Sequence, residues 1–378
     1  MTKLVNAIMP WNQTGYGHAS IGYLQCLAEM QKEGKIDLNF IPIGPVAEND
    51  PELSQPEYKE LLNYRNKVIN WSGINLSFWH LSHSKDLFPP EAQNRYMMST
   101  FEIDCLNQLE IEAIASATKV AFACNFNIDV AKNESNNVYS KPIPHLPYDK
   151  VPKYEPSIDW LEDHFGLKID KDSITLCTIG KFEARKGHYE ILSALDLITV
   201  PFLLVAYWYN PFIPNRFPFA ELVARNYKPV PSSKTNCRIY KKNNITLILP
   251  NPALTRTELY DSAAHCSGYL CTSKAEGFNL PLFDLYMAGI PCISTLNTAM
   301  RDYLLANQFQ HIIGGPAEVA TDGIFFHGTG KWMSLDPFEI IKAISKFKDS
   351  YPKANLGQVS YLNHKQSVKH LLKSFIDL

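Results

Sequence analysis

The sequence predicts an α/β protein made of two doubly wound domains, and three observations carry that expectation. Short apolar runs alternate with amphipathic stretches at a spacing that suits strand–helix–strand units and parallel sheets. At 378 residues the chain exceeds what one average core fills, so two domains are the default. Between them lies Pro142-Ile143-Pro144-His145-Leu146-Pro147-Tyr148-Asp149, continuing to Pro152 and Pro156, with five prolines in fifteen residues. That run is a stiff, extended connector rather than a helix or a central strand.

In the first half, residues 4–9 form a short apolar run that reads as a buried strand. Pro10-Trp11-Asn12-Gln13-Thr14-Gly15-Tyr16-Gly17-His18 follows, leading into an amphipathic helix over 21–31. A strand, a loop carrying Gly15 and Gly17, and a helix start make a weak phosphate-cradle signal; a turn needing glycine for its backbone is the plain alternative. Residues 38–42, 74–79, 95–100 and 119–124 continue the strands, with helices expected over 51–70 and 104–116. His18 reads as structural. His80 and His83 form an H-x-x-H pair without a third ligand nearby, which is not a metal site. Glu102, in the turn after the 95–100 strand, reads either as a carboxylate facing substrate hydroxyls or as a helix N-terminal acid favoured by the dipole.

The second half opens with the strand 173–179, followed by Gly180-Lys181-Phe182-Glu183-Ala184-Arg185-Lys186-Gly187-His188 and a helix over 189–197. Strands are expected at 201–207 and 245–249, helices at 219–226 and 253–264. Residues 225–242 carry six basic side chains and no acidic one, either an acceptor-binding insertion suited to phosphates or nucleic acid, or a solvated loop. Next comes Ala275-Glu276-Gly277-Phe278-Asn279-Leu280-Pro281-Leu282-Phe283-Asp284-Leu285-Tyr286-Met287-Ala288-Gly289, between apolar strands at 268–272 and 290–294. Pro281 fits a helix start and Gly289 a left-handed helix stop. Glu276 and the 277–279 backbone thus stand at the carboxyl end of a strand, facing a helix N-terminus, where open α/β sheets bind ligands. A further helix beginning at Asn297, a short strand at 323–327, and helices at 337–347 and 362–375 complete the chain.

Composition narrows the function. Hydrophobic content of 46%, 20% charged residues and a formal net charge of −2 describe ordinary globular composition without a field that draws in nucleic acid or anionic membrane. No apolar run approaches a membrane span, and the N-terminus lacks a signal-peptide pattern. The eight cysteines are scattered without a C-x-x-C pair, several inside apolar runs. They read as buried, reduced thiols of an intracellular, cytoplasmic protein.

Glu276, the Gly-Phe-Asn-Leu-Pro after it, and Asp284 resemble the E-x7-E signature of retaining GT-B glycosyltransferases, family 4 in particular. Those enzymes usually carry Gly where Asn279 stands and Glu where Asp284 stands. They also show Gly-Arg, then Lys-Gly five residues after the Arg, behind a strand. Here Lys181 takes the Arg position and Lys186 the Lys position, giving up bidentate recognition at 181.

The resemblance implies a GT-B fold, two Rossmann-like domains facing across a cleft. Residues 1–155 would form the acceptor-side domain, 156–355 the nucleotide-sugar-binding domain, and 356–378 a helix crossing back toward the first. By position, Glu276 would bind hydroxyls of the donor sugar and Asp284 the ribose. Gly277, Phe278 and Asn279, with Leu280, would turn backbone N–H groups toward sugar or phosphate. Lys181 and Lys186, beside Gly180, would stabilise the departing diphosphate. The Gly15–Gly17 loop would lie across from that diphosphate, and Glu102 would stand where many members have a histidine.

The implied reaction is retaining transfer from a nucleotide sugar, which acts as co-substrate, with no cofactor and no metal. The Asp170-Lys171-Asp172 triplet precedes a strand instead of following one. The acceptor stays open among a glycan, a lipid, a small molecule and a hydroxylated base in DNA, as some bacteriophages use. A sugar- or nucleotide-binding protein without transfer activity is the alternative from another class. A phosphorylase has no separate signal.

Overall fold

The computed structural model describes residues 2–47, 50–65, 68–210, 223–251, 255–304, 310–324, 326–350 and 361–378. By internal contacts the chain forms two units. The first comprises Met1–Pro147, Glu276–Leu280 and Val359–Leu378; the second comprises Tyr148–Ala275 and Pro281–Gln358. The expected boundary at 355/356 lies outside the described residues.

In the first unit β1 (Lys3–Pro10), β2 (Ile36–Ile43), β3 (Ile74–Phe78), β4 (Asn94–Ser99) and β5 (Lys119–Phe122) form a sheet of order β2-β1-β3-β4-β5, every pair parallel. Period-2 alternation splits its side chains between two faces. Tyr96 and Met98 join a core with the helix Gly15–Lys32 and with Val368, Leu372 and Phe375 of the C-terminal helix Tyr361–Phe375. Met97, between them, joins Ala113, Ile114 and Ile128 on the other side.

In the second unit β6 (Ile174–Gly180), β7 (Phe202–Trp208), β8 (Lys228–Val230), β9 (Cys237–Lys242), β10 (Ile245–Pro250), β11 (Gly268–Cys271), β12 (Cys292–Thr295) and β13 (Gln310–Ile312) form a sheet of order β13-β12-β11-β6-β7-β10-β9-β8. It is parallel from β13 to β10 and antiparallel beyond. Leu204 and Ala206 pack with the helices His188–Leu195 and Pro337–Ser350, while Leu203 and Val205 pack with Ile158–Phe165 and Arg256–His265. All eight cysteines are free, and seven are buried.

Several elements differ from expectation, each for a local reason. The first helix begins at Gly15, not residue 21, because Thr14 caps it by accepting from the Gly17 N–H; Gly15 and Gly17 are therefore its first turn rather than a loop. Residues 51–70 hold only the turns Pro56–Lys59 and Glu60–Tyr64, with 66 and 67 outside the described set. The helix expected from 104 starts at Gln108, behind an Asn107–Glu110 capping box.

The basic 225–242 stretch is not a loop: it supplies β8 and β9, an antiparallel edge of the second sheet. Lysines there have an ordinary purpose, since charged edges resist pairing with another chain. Of the strand expected at 323–327, residues 323, 324 and 326 lie between β14 (Ala317–Thr321) and β15 (His327–Met333), residue 325 is outside the described set, and His327 opens β15. Gly323, at φ +72°, bends the chain there. The helix starts expected at 219 and 253 fall outside the described residues. Among the described residues, no helix is long and apolar enough to cross a membrane.

Candidate active site

In the second sheet the chain runs from β6 outward through β7 and β10, then returns to the other side of β6 as β11 and β12. The order reverses between β6 and β11, and the crevice at the carboxyl ends of two such strands is where open α/β sheets take ligands. Two loops leave from there, 181–187 after β6 and 272–279 after β11, and they are bonded to each other. Thr272 Oγ1 donates to the Lys186 carbonyl at 2.8 Å, and the Lys274 N–H donates to the Arg185 carbonyl at 2.7 Å. Arg185 Nη1 donates to the Ala275 carbonyl at 2.8 Å.

This contact requires glycine at 187: φ is +71°, and a Cβ would lie 2.3 Å from the Thr272 carbonyl oxygen. Lys181 and Lys186, both half-buried, flank the N-terminus of the helix His188–Leu195, so positive side chains and helix N–H groups share one corner. Lys186 also lies along Gly180, its Cδ 3.4 Å from where a Cβ would stand. Glu183, buried beneath, holds Arg185 at 2.7 Å and approaches Lys181 at 3.7 Å. His188 is stacked on Phe182 and tilted against Trp208. Burial, then the Lys186 charge, pushes its pKa down to about 3. The imidazole is therefore neutral, and its Nε2 stands 3.0 Å from the Lys181 carbonyl oxygen.

Residues 276–280 belong to the first unit. Asn279 has φ +69°, the left-handed conformation for which Gly is the ordinary choice and Asn the best tolerated alternative. Its Nδ2 donates to Glu276 Oε1 at 3.3 Å, and both side chains are buried. Gly277 passes so near the 100–101 backbone that a Cβ would fall 2.0 Å from Thr100 Oγ1. The Phe278 ring meets His145 edge-on at 4.4 Å, and Leu280 lies beside Gly15.

Asn127, fully buried, gathers this neighbourhood. It donates to the Phe101 carbonyl at 2.7 Å and accepts from Thr100 Oγ1 and Cys124 Sγ. Cys124 Sγ also reaches the Gly277 carbonyl at 3.5 Å. Tyr16 donates its hydroxyl to the Thr100 carbonyl at 2.9 Å. Its pKa is raised by burial first and by the Glu102 charge second. Glu102 stands in irregular backbone ahead of the helix Gln108–Ser116, so the helix-terminal role considered for it does not apply.

Asp284 departs furthest from expectation. It has no exposed surface. Oδ1 accepts from the Tyr148 N–H at 2.8 Å, and Oδ2 accepts from the Tyr260 hydroxyl at 2.6 Å. Arg256 lies 3.7 Å from Oδ2, its guanidinium 4.0 Å over the Tyr148 ring. A carboxylate enclosed in this way ties the helix Leu280–Met287 to the end of the proline-rich connector.

Sequence reasoning missed Arg185, Glu183 and Asn127. Opposite charges two residues apart, Glu183 and Arg185, were the available signal, although they meet where extended Glu183 (φ −151°) enters the 3-10 turn Ala184–Lys186 and not along a strand. Among the described residues, no group of three or more His, Cys, Asp or Glu side chains is placed to hold a metal ion.

The two units together have the GT-B glycosyltransferase fold. HepE from Anabaena in complex with UDP matches 99% of this chain over 100% of its own, at TM-score 0.58 and 13% identity. HepE in complex with UDP-glucose matches 98% over 100%, at TM-score 0.56 and 12% identity. The lipopolysaccharide outer core galactosyltransferase WaaB, in its apo form, matches 98% over 99%, at TM-score 0.53 and 11% identity. Identity this low carries the fold and not the substrate. No protein-family model matches the chain, and no curated protein matches it.

Proposed function

We propose that the protein is a retaining glycosyltransferase that moves a sugar from a nucleotide diphosphate donor to an acceptor hydroxyl without a metal ion. The observation that carries this reading is the bonded pair of loops at the β6/β11 switch point. One presents Lys181 and Lys186 at a helix N-terminus, and the other runs directly into Glu276. That HepE has been seen with UDP and with UDP-glucose makes a uridine diphosphate sugar the first donor to try.

In this reading Lys181 and Lys186 neutralise the diphosphate as the anomeric bond breaks, when its charge is largest. Glu276, oriented by Asn279, receives sugar hydroxyls. The acceptor oxygen then approaches the face the leaving group vacates, so the protein supplies position and electrostatics rather than a strong nucleophile. In the same reading Glu102 touches donor or acceptor hydroxyls, and the Gly15–Gly17 helix start serves the diphosphate. Asp284 is removed from the donor contacts and becomes a support.

Wild type and the variants Glu276→Ala and Lys186→Ala are incubated with a panel of nucleotide sugars, with and without EDTA, and free nucleotide is followed. Release from one donor, insensitive to EDTA and lowered about 100-fold in Lys186→Ala, is the expected result. Absence of both turnover and nucleotide binding in the wild type would overturn the reading.

A further inference from the structure

We infer that Arg185 is a positioning residue for the transfer step, linking the cationic loop after β6 to the peptide that carries Glu276; this rests on the transferase reading above. Of the three cations in the 181–187 loop, Lys181 and Lys186 are half-buried and Arg185 is fully buried. A buried guanidinium needs partners for its charge and its fixed fork of donors. Arg185 finds one on its own loop and one on the next: Nη2 donates to Glu183 Oε1 at 2.7 Å, and Nη1 donates to the Ala275 carbonyl at 2.8 Å. The Lys274 N–H returns a bond to the Arg185 carbonyl at 2.7 Å.

These bonds form a continuous path. Lys181 faces Glu183, Glu183 holds Arg185, and Arg185 fixes the Ala275 carbonyl, whose carbon is bonded to the Glu276 nitrogen. Orientation of that peptide plane sets where Glu276 starts. The Lys186 end of the loop is held separately by Thr272 and by the close packing of Gly187. The Lys186 end of the anion corner and the orientation of Glu276 therefore rest on different contacts, and a change at Arg185 disturbs the second more than the first. Lysine cannot imitate the arrangement, because a single ammonium cannot present two parallel donors to a carboxylate and a carbonyl on opposite loops.

The experiment compares wild type, Arg185→Lys and Glu183→Gln by calorimetric titration with UDP, by kcat and KM for nucleotide release from the donor that turns over, and by hydrogen exchange of the 272–280 peptide. Arg185→Lys is expected to lower kcat by about tenfold or more, while the UDP Kd changes less than about threefold, since misplacement of a catalytic group costs rate rather than ground-state binding. The 272–280 amides should exchange faster. Glu183→Gln keeps an acceptor for Arg185 but loses the charge, and a smaller kcat loss of about threefold is expected, with the UDP Kd again changing less than about threefold.

Unchanged kcat in Arg185→Lys overturns the inference while leaving the transferase reading intact. So does a proportional loss of kcat and UDP affinity, which would make Arg185 a mere support of the anion loop. If Arg185→Lys does not fold, Glu183→Gln decides by the same split. A wild type that neither binds UDP nor releases nucleotide from any donor defeats the transferase reading and the inference with it.

Discussion

Both units are built on a parallel sheet whose order reverses beside its first strand, and they hold their switch-point loops by different chemistry. In the first, the helix start after β1 is set by a threonine cap, and the Tyr16 ring lies 5.5 Å from Trp79 and 4.3 Å from His80. Its buried hub, Asn127, is a neutral amide. In the second, buried ion pairs stand beside the neutral bonds: Glu183 with Arg185, Lys274 with Glu190 at 2.7 Å and Glu318 at 3.0 Å, and Asp284 with Arg256. Burial works against the Lys274 charge, but the two glutamates outweigh it and raise the pKa. A parallel sheet leaves the chemistry of its carboxyl edge to the loops. Charge at one edge and aromatic and amide groups at the other are what a site for a diphosphate and a site for a neutral hydroxylated acceptor would each require.

The sharpest test of this contrast sets the two buried hubs against each other. Asp284→Ala leaves Arg256 without its buried partner and should cost about 3–5 kcal/mol. Asn127→Ala removes neutral hydrogen bonds and should cost about 1–3 kcal/mol. Denaturant unfolding of both variants measures the difference, and equal losses would show that charge is not what distinguishes the second unit.

Acid should reveal what the units have in common. His145 in the first and His188 in the second are both buried neutral, with pKa pushed down to about 3 chiefly by burial. The unfolded chain takes up these protons below its ordinary pKa of about 6.5 and the folded one does not, so stability falls as pH drops from there toward 3. Each histidine contributes about 1.4 kcal/mol per pH unit in that window. Melting temperatures of wild type, His145→Gln and His188→Gln between pH 7 and 5 should show shallower loss in each variant. A profile identical to wild type in both would refute the assignment.

The smallest effect is at Asn279. Ala there meets left-handed backbone and should destabilise by about 1–2 kcal/mol, whereas Gly should be tolerated. Chemical denaturation distinguishes them, and an Ala variant as stable as the Gly one would remove the backbone explanation for Asn at this position.

Much of the architecture was legible because period and punctuation are local. The strand of β6, the stop at Gly289 (φ +80°) and the proline run all follow from residues that dictate their own backbone. The 225–242 stretch was not legible as strands, because its apolar positions, Tyr227, Val230, Cys237, Ile239 and Tyr240, are scattered and embedded in charge. Nor could the sequence sort Lys181, Arg185 and Lys186 into exposed and buried. That depends on the Ala275 carbonyl, ninety positions away. Asp284 misled for the same reason: its spacing from Glu276 matches a ligand motif, but Tyr148 and Tyr260, distant in sequence, decide its surroundings.

The first unit is also discontinuous: its sheet comes from the opening 147 residues, yet its core includes Val368, Leu372 and Phe375. On the ribosome, this sheet therefore emerges before the second unit and gains the helix Tyr361–Phe375 only after it. Until the final helix emerges, the apolar side chains it covers have no native cover. Deleting the helix Tyr361–Phe375 would remove one wall of this core, and chaperone demand during synthesis should follow the time taken to translate the intervening unit.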